Sequence, residues 1–247
     1  MNDWDGYCAC CAVAYVRGEA IKARANGGRI TMPDGKAEGC QLVLPPELSD
    51  TPLEALADKQ IEAILMRGSD AGLKLYRFKK NLAELPRFKY ALDFLHTIEF
   101  DTLLDVGSGR GAFLWPCMNA FPRVKVRSVE LSPSWGDVFD AVRLGGISNF
   151  SWTQSDFCQI GEADCSYDVV TLFEVLGHIV PVACAIQNAV RLAKKYIIVS
   201  AQTKPDDNPE DIHLLTEDVL TRLVRDAGCT HLSFEEVNDH LMLIASK

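Results

Sequence analysis

Residues 101–114 read Asp101-Thr102-Leu103-Leu104-Asp105-Val106-Gly107-Ser108-Gly109-Arg110-Gly111-Ala112-Phe113-Leu114, and this stretch decides the fold. A short apolar run, Leu103 to Val106, ends in glycines at three alternate positions and gives way to an amphipathic segment. That order is strand, tight turn, helix. Gly107, Gly109 and Gly111 let the backbone take positive φ and approach a ligand closely. The helix expected from Gly111 to Ala120 points its N-terminal N–H groups into the same space. Asp105 hangs a carboxylate over it. Such a loop holds a nucleotide-like ligand, whose identity depends on the rest of the chain.

Downstream, strands and helices alternate. Strands are expected at Thr102–Val106, Val124–Val129, Phe150–Thr153, Tyr167–Phe173 and Tyr196–Ala201, with helices at Ser134–Leu144, Val182–Leu192 and Thr216–Ala227. Tyr167 to Phe173 is nearly all apolar, as a strand covered on both faces should be. Alternation of this kind predicts an α/β fold with a parallel sheet and helices on both faces. Two final strands, His231–Glu235 and Leu241–Ala245, are joined by a turn short enough to imply antiparallel pairing.

The N-terminal part is less legible. Ala12 to Val16 suits a strand or one helical turn, and Gln41 to Leu44 a short strand. Ser49 to Pro52 can cap a helix, with Leu53, Leu56, Ile61, Ile64 and Leu65 on one face; a second helix is expected from Arg87 to His96. The reading is a mainly helical extension over residues 1–95 and a ligand-binding domain over 96–247.

Composition bounds the function. The 247 residues, 48% hydrophobic and 24% charged, suit one large α/β domain plus that extension. No apolar run approaches the ~20 residues that span a bilayer, and the first residues lack a basic start and apolar core. A cytoplasmic protein is expected. Nine cysteines, an odd number, fit reduced thiols in a packed interior. Cys8, Cys10, Cys11 and Cys40 lack the C-x₂-C pairing of a zinc site, so no metal is expected. A net charge of −9 argues against a surface that clings everywhere to nucleic acid. Residues 67–89 nevertheless carry an excess of five positive charges, interleaved with Tyr76, Phe78, Phe88 and Tyr90 from 74 to 90. That is either a pair of helices with aromatics on the core and charges in water, or a face for RNA.

Ligands of open parallel sheets bind at the carboxyl ends of the strands, and acids fall there. Glu130 closes the second strand, where a carboxylate can accept from both hydroxyls of a ribose. Asp156 follows the third, placed to accept from an adenine amino group, with Phe157 beside it. Glu174 closes the fourth.

These motifs resemble those of the class I S-adenosylmethionine-dependent methyltransferases over residues 100–247. Leu-Leu-Asp-Val-Gly-Ser-Gly-Arg-Gly is close to the family's first motif, and Ser-Val-Glu-Leu-Ser to its ribose-binding strand end. Gln-Ser-Asp-Phe is similar to its adenine-binding turn. Ser-Tyr-Asp-Val-Val-Thr-Leu-Phe-Glu-Val-Leu-Gly-His-Ile is similar to its fourth-strand motif. The resemblance implies a Rossmann-like, seven-stranded, mostly parallel sheet whose last strand is antiparallel. It implies that Asp105, Gly107, Ser108, Gly109, Gly111, Glu130, Leu131, Asp156, Phe157 and Glu174 bind S-adenosylmethionine. His178, four residues after Glu174, and His213, before the last helix, are candidates for a general base, and His240 lies in the final hairpin. In the family's metal-dependent ribose-methylating branch a glutamate precedes the histidine; here Gly177 stands there. The methyl acceptor is expected to be a small molecule. The alternatives are RNA held by residues 74–90, a non-catalytic cofactor-binding protein, or an NAD-dependent oxidoreductase, because Gly107-x-Gly109-x-x-Ala112 also fits a dinucleotide fingerprint. Nothing in the sequence indicates an oligomeric state.

Overall fold

The computed structural model describes residues 6–30, 41–203 and 215–247. Its helices are α1 Ala9–Arg24, α2 Pro46–Ser49, α3 Asp58–Asp70, α4 Pro86–Leu95, α5 Leu114–Ala120, α6 Gly136–Leu144, α7 Val182–Leu192 and α8 Glu217–Asp226. Its strands are β1 Thr102–Val106, β2 Lys125–Glu130, β3 Phe150–Gln154, β4 Tyr167–Phe173, β5 Ala193–Gln202, β6 His231–Val237 and β7 His240–Ser246. The seven strands form one sheet in the order β3-β2-β1-β4-β5-β7-β6. β1 runs parallel to β2 and β4, and β4 to β5, whereas β7 is antiparallel to β5 and β6. This is the expected Rossmann-like sheet.

The chain divides into two compact units. The first comprises Met1–Leu82, Arg110–Pro122 and Ser134–Ser151, and the second Ala83–Gly109, Arg123–Pro133 and Trp152–Lys247.

In the second unit the period-2 alternation of each strand sorts side chains between two faces. Leu104, Val106, Val170, Leu172, Ile197 and Val199 turn to one side and pack with Ala185, Ile186 and Ala189 of α7 and Leu220 and Val224 of α8. The opposite side receives α4: Phe88 meets Phe173 edge-on at 5.3 Å, and Phe94 meets Tyr196 at 5.1 Å. At the amino ends of the strands Asp168, buried, accepts hydrogen bonds from the Asp101 N–H (2.9 Å), the Thr102 N–H (3.1 Å) and the Thr102 hydroxyl (3.0 Å), tying β1 to β4. β5 starts three residues earlier than its apolar run suggests, because Lys194 and Lys195 extend it while reaching Asp168 at 3.9 and 3.8 Å.

The first unit is built on α1, a sixteen-residue helix where the sequence suggested at most one turn. Cys11 to Gly18 is an unbroken buried run. A helix buried on all sides has no amphipathic period to read. Glycines let its neighbours approach: a Cβ on Gly18 would stand 1.9 Å from the Ala141 carbonyl oxygen of α6, and one on Gly145 would stand 1.7 Å from that of Ala14. Trp115, fully buried, is ringed by Phe78 (5.1 Å), Phe139 (5.7 Å) and Phe150 (5.9 Å).

Three local expectations give way. Pro52 leads into a 3-10 turn at Leu53–Ala55, and α3 begins only at Asp58, with Gln60 bonding back to the Ala57 N–H at 3.0 Å. Gln41 makes one isolated bridge to Arg29 instead of opening a strand, although Leu42 and Leu44 are buried. α5 begins three residues after Gly111, whose φ of +85° is incompatible with a right-handed helix. Cys8 and Cys11 are buried, and burial pushes the Cys8 thiol up to about 12, as suits protonated thiols in a core; Cys40 lies outside the described residues.

Candidate active site at the carboxyl ends of the strands

β1 ends in the glycine loop, and all three glycines have positive φ: +66° at Gly107, +52° at Gly109 and +85° at Gly111. The need for glycine differs among them. A Cβ on Gly107 would press 2.6 Å from Val175 Cγ2, so the loop packs directly on the residue after Glu174. A Cβ on Gly109 would meet only the Gly107 carbonyl at 3.9 Å and otherwise project into open space. Gly111 belongs to the first unit, where its bare Cα makes room for the Trp115 ring.

Asp105 lies beneath this loop, 2% exposed. Cross-strand register sets Ser128 of β2 and Thr171 of β4 on either side of it. Thr171 Oγ1 donates to Asp105 Oδ1 at 2.6 Å, and Ser108 Oγ donates to Oδ2 at 2.5 Å. With its proton so used, Ser108 accepts from the Ser128 hydroxyl at 2.7 Å. Burial pushes the Asp105 carboxyl up to about 6; the bonds from Ser108 and Thr171 hold it down, and the nearby Glu130 charge adds to the rise. Thr171 and Ser128 were not anticipated, since lone hydroxyls within strands carry no sequence signal until register is known.

Glu130, at the end of β2, reaches back to the loop. Its Oε2 accepts from the Gly109 N–H at 2.8 Å and its Oε1 from the Ser132 N–H at 3.2 Å. Leu131 next to it is 69% exposed, an apolar side chain left uncovered beside Glu130. Asp156 caps a 3-10 turn at Phe157–Gln159, accepting from the Cys158 N–H at 2.9 Å and from Gln159 Nε2 at 3.0 Å. The Phe157 ring, 4% exposed, sits in the core with α7, so the turn presents backbone and carboxylate, not an aromatic face. One face of α7 holds this turn: Asn188 Nδ2 donates to the Phe157 carbonyl at 2.6 Å, and Arg191 Nη2 to that of Ile160 at 3.2 Å.

Glu174 follows β4 with a φ of +56°, a left-handed conformation that costs a non-glycine residue about 1–3 kcal/mol. The kink excludes a helix starting there, so His178 is not one helical turn from Glu174; it is an exposed residue ending a 3-10 turn at Leu176–His178. His213 lies outside the described residues. Glu174 meets Ser200 of β5, whose hydroxyl donates to Oε1, Arg87 of α4 with Nε 3.8 Å from Oε1, and His240 of β7 with Nε2 3.3 Å from Oε2.

A family model described as a methyltransferase domain matches residues 73–234, more than half of the chain. The chain belongs to the class I S-adenosylmethionine-dependent methyltransferases. Solved methyltransferases share the fold. A S-adenosylmethionine-dependent enzyme of Thermotoga maritima superposes with a TM-score of 0.54 at 16% identity, over 68% of this chain and 91% of that one. Magnesium protoporphyrin IX methyltransferase of Synechocystis, solved with S-adenosylhomocysteine bound, gives 0.52 at 16% identity over 67% and 84%. An O-methyltransferase family protein of Burkholderia thailandensis gives 0.52 at 16% identity over 92% and 82%. No curated protein matches the chain. S-adenosylmethionine is the cofactor of this methyltransferase. No helix among the described residues is long and apolar enough to cross a membrane.

Proposed function

We propose that the protein transfers the methyl group of S-adenosylmethionine to a small-molecule acceptor. The observation that carries the cofactor assignment is the convergence of Asp105 and Glu130 on the glycine loop, with open space beside Gly109. The residues fit the group. A buried carboxylate that is costly to ionise alone suits a cationic amino group, and Glu130 keeps further lone pairs for two ribose hydroxyls. Gly107, Ser108 and Gly109 line the amino-acid portion, Leu131 covers one face of the adenine, and Asp156 with the backbone at Phe157 reads its edge. Glu174 flanks the reacting end.

When bound, the cofactor supplies an electrophilic methyl group. The protein's task is alignment of a nucleophile and exclusion of water. The strand ends are fixed in place for this: Asp105 by Thr171, the Asp156 turn by Asn188, and Glu174 by Ser200.

Two observations favour a small molecule over RNA. The net charge is −9. Of the four aromatics in residues 74–90, Phe78 and Phe88 are buried in hydrophobic contacts, at 0% and 3% exposure, which removes them from any stacking surface. Calorimetry with S-adenosylhomocysteine and NAD tests the cofactor; NAD binding without S-adenosylhomocysteine binding overturns the reading. Labelled cofactor incubated with fractionated cell extract tests the acceptor. Label is expected in the small-molecule fraction. Label in RNA, at a rate falling steeply with salt, overturns that part. A protein that binds the cofactor and labels neither fraction is the non-catalytic alternative.

A further inference from the structure

His240 opens β7, and in the antiparallel β5–β7 pair it stands opposite Gln202, the last residue of β5. Antiparallel pairing thus carries the first residue of β7 to the carboxyl edge of the parallel strands, where the glycine loop and Glu174 also lie. Neither local sequence nor periodicity connects residue 240 with residue 174; the sheet does.

The contact is specific. His240 Nε2 is 3.3 Å from Glu174 Oε2, with the two side chains 18% and 27% exposed. The other carboxylate oxygen is held by the Ser200 hydroxyl and faces Arg87 Nε at 3.8 Å. Arg87 Nε is buried and makes no hydrogen bond among the described residues, so it meets Glu174 as a charge across 3.8 Å. Glu174 itself holds a left-handed backbone. An ordinary edge ion pair needs neither that strain nor three partners. The neighbouring Val175 packs on Gly107, which sets this cluster against the cofactor loop.

A neutral imidazole whose Nε2 faces a carboxylate at 3.3 Å places its proton on that nitrogen and its lone pair on Nδ1. A nitrogen so oriented, with an anion behind it to stabilise the imidazolium, is the arrangement of a general base. An amine acceptor attacks through a lone pair it already has, whereas a hydroxyl must lose its proton to become a good nucleophile. We propose that His240 is the general base of this methyltransferase, that Glu174 is its positioning residue, and that the acceptor is a weakly acidic hydroxyl compound of the phenol or enol class. In the transfer the oxygen–carbon bond forms as the methyl–sulfur bond breaks, and that bond's electron pair stays on sulfur. The acceptor's proton passes to His240 Nδ1 and later to water. This rests on the methyltransferase reading above.

The test uses the full chain saturated with S-adenosylhomocysteine and probed with 4-nitrophenol, at a pH where the free probe is protonated. The wild type is expected to show the phenolate absorption band on binding, and 4-nitroanisole, which has no proton to give, no change. His240→Gln should lower the ionised fraction at least ~tenfold, within the range general bases contribute, while binding S-adenosylhomocysteine as the wild type does. Glu174→Gln should lower it less. Histidine ¹⁵N spectra of the wild type read the same event without a variant: Nδ1 of His240 gains a proton when 4-nitrophenol binds. An unshifted His240 signal, or an unchanged phenolate band in His240→Gln, overturns the proposal. Failure to bind S-adenosylhomocysteine at all would instead overturn the cofactor assignment beneath it.

Discussion

Asp105 gives the sharpest quantitative prediction. Its carboxyl moves from an ordinary 3.8 to about 6 because it is buried. At ~1.4 kcal/mol for each tenfold change in proton affinity, the anion costs about 3 kcal/mol. The folded-state value is raised, so between roughly pH 4 and 6 the folded protein holds a proton that the unfolded chain has lost. Stability of the ligand-free protein therefore falls as pH rises through this window, and the full penalty is present above about 6. Asp105→Asn keeps the shape. Its Oδ1 still accepts from Thr171, and its Nδ2 donates to Ser108, whose proton then turns to Ser128. The variant should match the wild type near pH 4 and exceed its stability by up to ~3 kcal/mol at pH 7. Ligand binding should move the other way. A cationic amino group favours the carboxylate, so S-adenosylhomocysteine should bind the wild type more tightly as pH rises from 5 to 7. Asp105→Asn should lose that dependence and bind ~10- to 100-fold more weakly at pH 7, the worth of a hydrogen bond to a charged group. Denaturant unfolding and calorimetry across pH 4–8 measure both. Parallel stability curves for the two proteins, or undiminished ligand affinity in the variant, would refute the reasoning.

Other substitutions probe the supports. Gly18→Ala drives a methyl group into the Ala141 backbone carbonyl, which no side-chain rotation relieves; a loss of about 3 kcal/mol or more is expected in denaturant unfolding. Asn188→Ala frees the Phe157 carbonyl and hence the Asp156 turn, and should cost ~1–3 kcal/mol in stability and weaken S-adenosylhomocysteine binding several-fold by calorimetry. Asp168 is held below the ordinary carboxylate range: burial alone would raise it, but the Asp101 N–H, the Thr102 hydroxyl and N–H, and Lys195 outweigh that. Its contribution is thus present above about pH 4 and lost on acidification. Asp168→Asn should be less stable than the wild type at neutral pH by ~1.5–3 kcal/mol, with a shallower loss below pH 4 in acid unfolding.

Much of the sheet was legible because its strands carry patterns set locally. Tyr167–Phe173 is apolar apart from Asp168 and Thr171, and the glycine loop announces its own turn. The acids were legible for the same reason, since a strand's last residue is visible in sequence. What was hidden depends on pairing. Thr171 and Ser128 meet Asp105 only through register, and Arg87, Ser200 and His240 meet Glu174 from three other elements. α1 was hidden for the opposite reason, being too thoroughly buried to alternate. A helix beginning at Glu174 was expected in error because sequence spacing cannot reveal a left-handed residue at 174.

Register also divides the labour of the sheet. Parallel partners share a face, so Ser128, Asp105 and Thr171 project to the same side, and Glu130, two residues beyond Ser128, joins them. Ser200, opposite Phe173, falls on that side as well. The reverse side at the same strands is Val129, Leu104, Val106, Val170, Leu172, Ile197 and Val199, all apolar and all in the core with α7. Buried polar groups must be satisfied or they destabilise. Gathering them on one face, near one edge, lets each satisfy the next: Ser128 to Ser108, Ser108 and Thr171 to Asp105, Ser200 to Glu174. The apolar face can then be packed for stability alone. A truncation such as Val170→Ala should therefore lower unfolding free energy without altering the pH dependence of ligand binding, whereas Thr171→Val, nearly its equal in volume, should alter that dependence by removing a bond that lowers the proton affinity of Asp105.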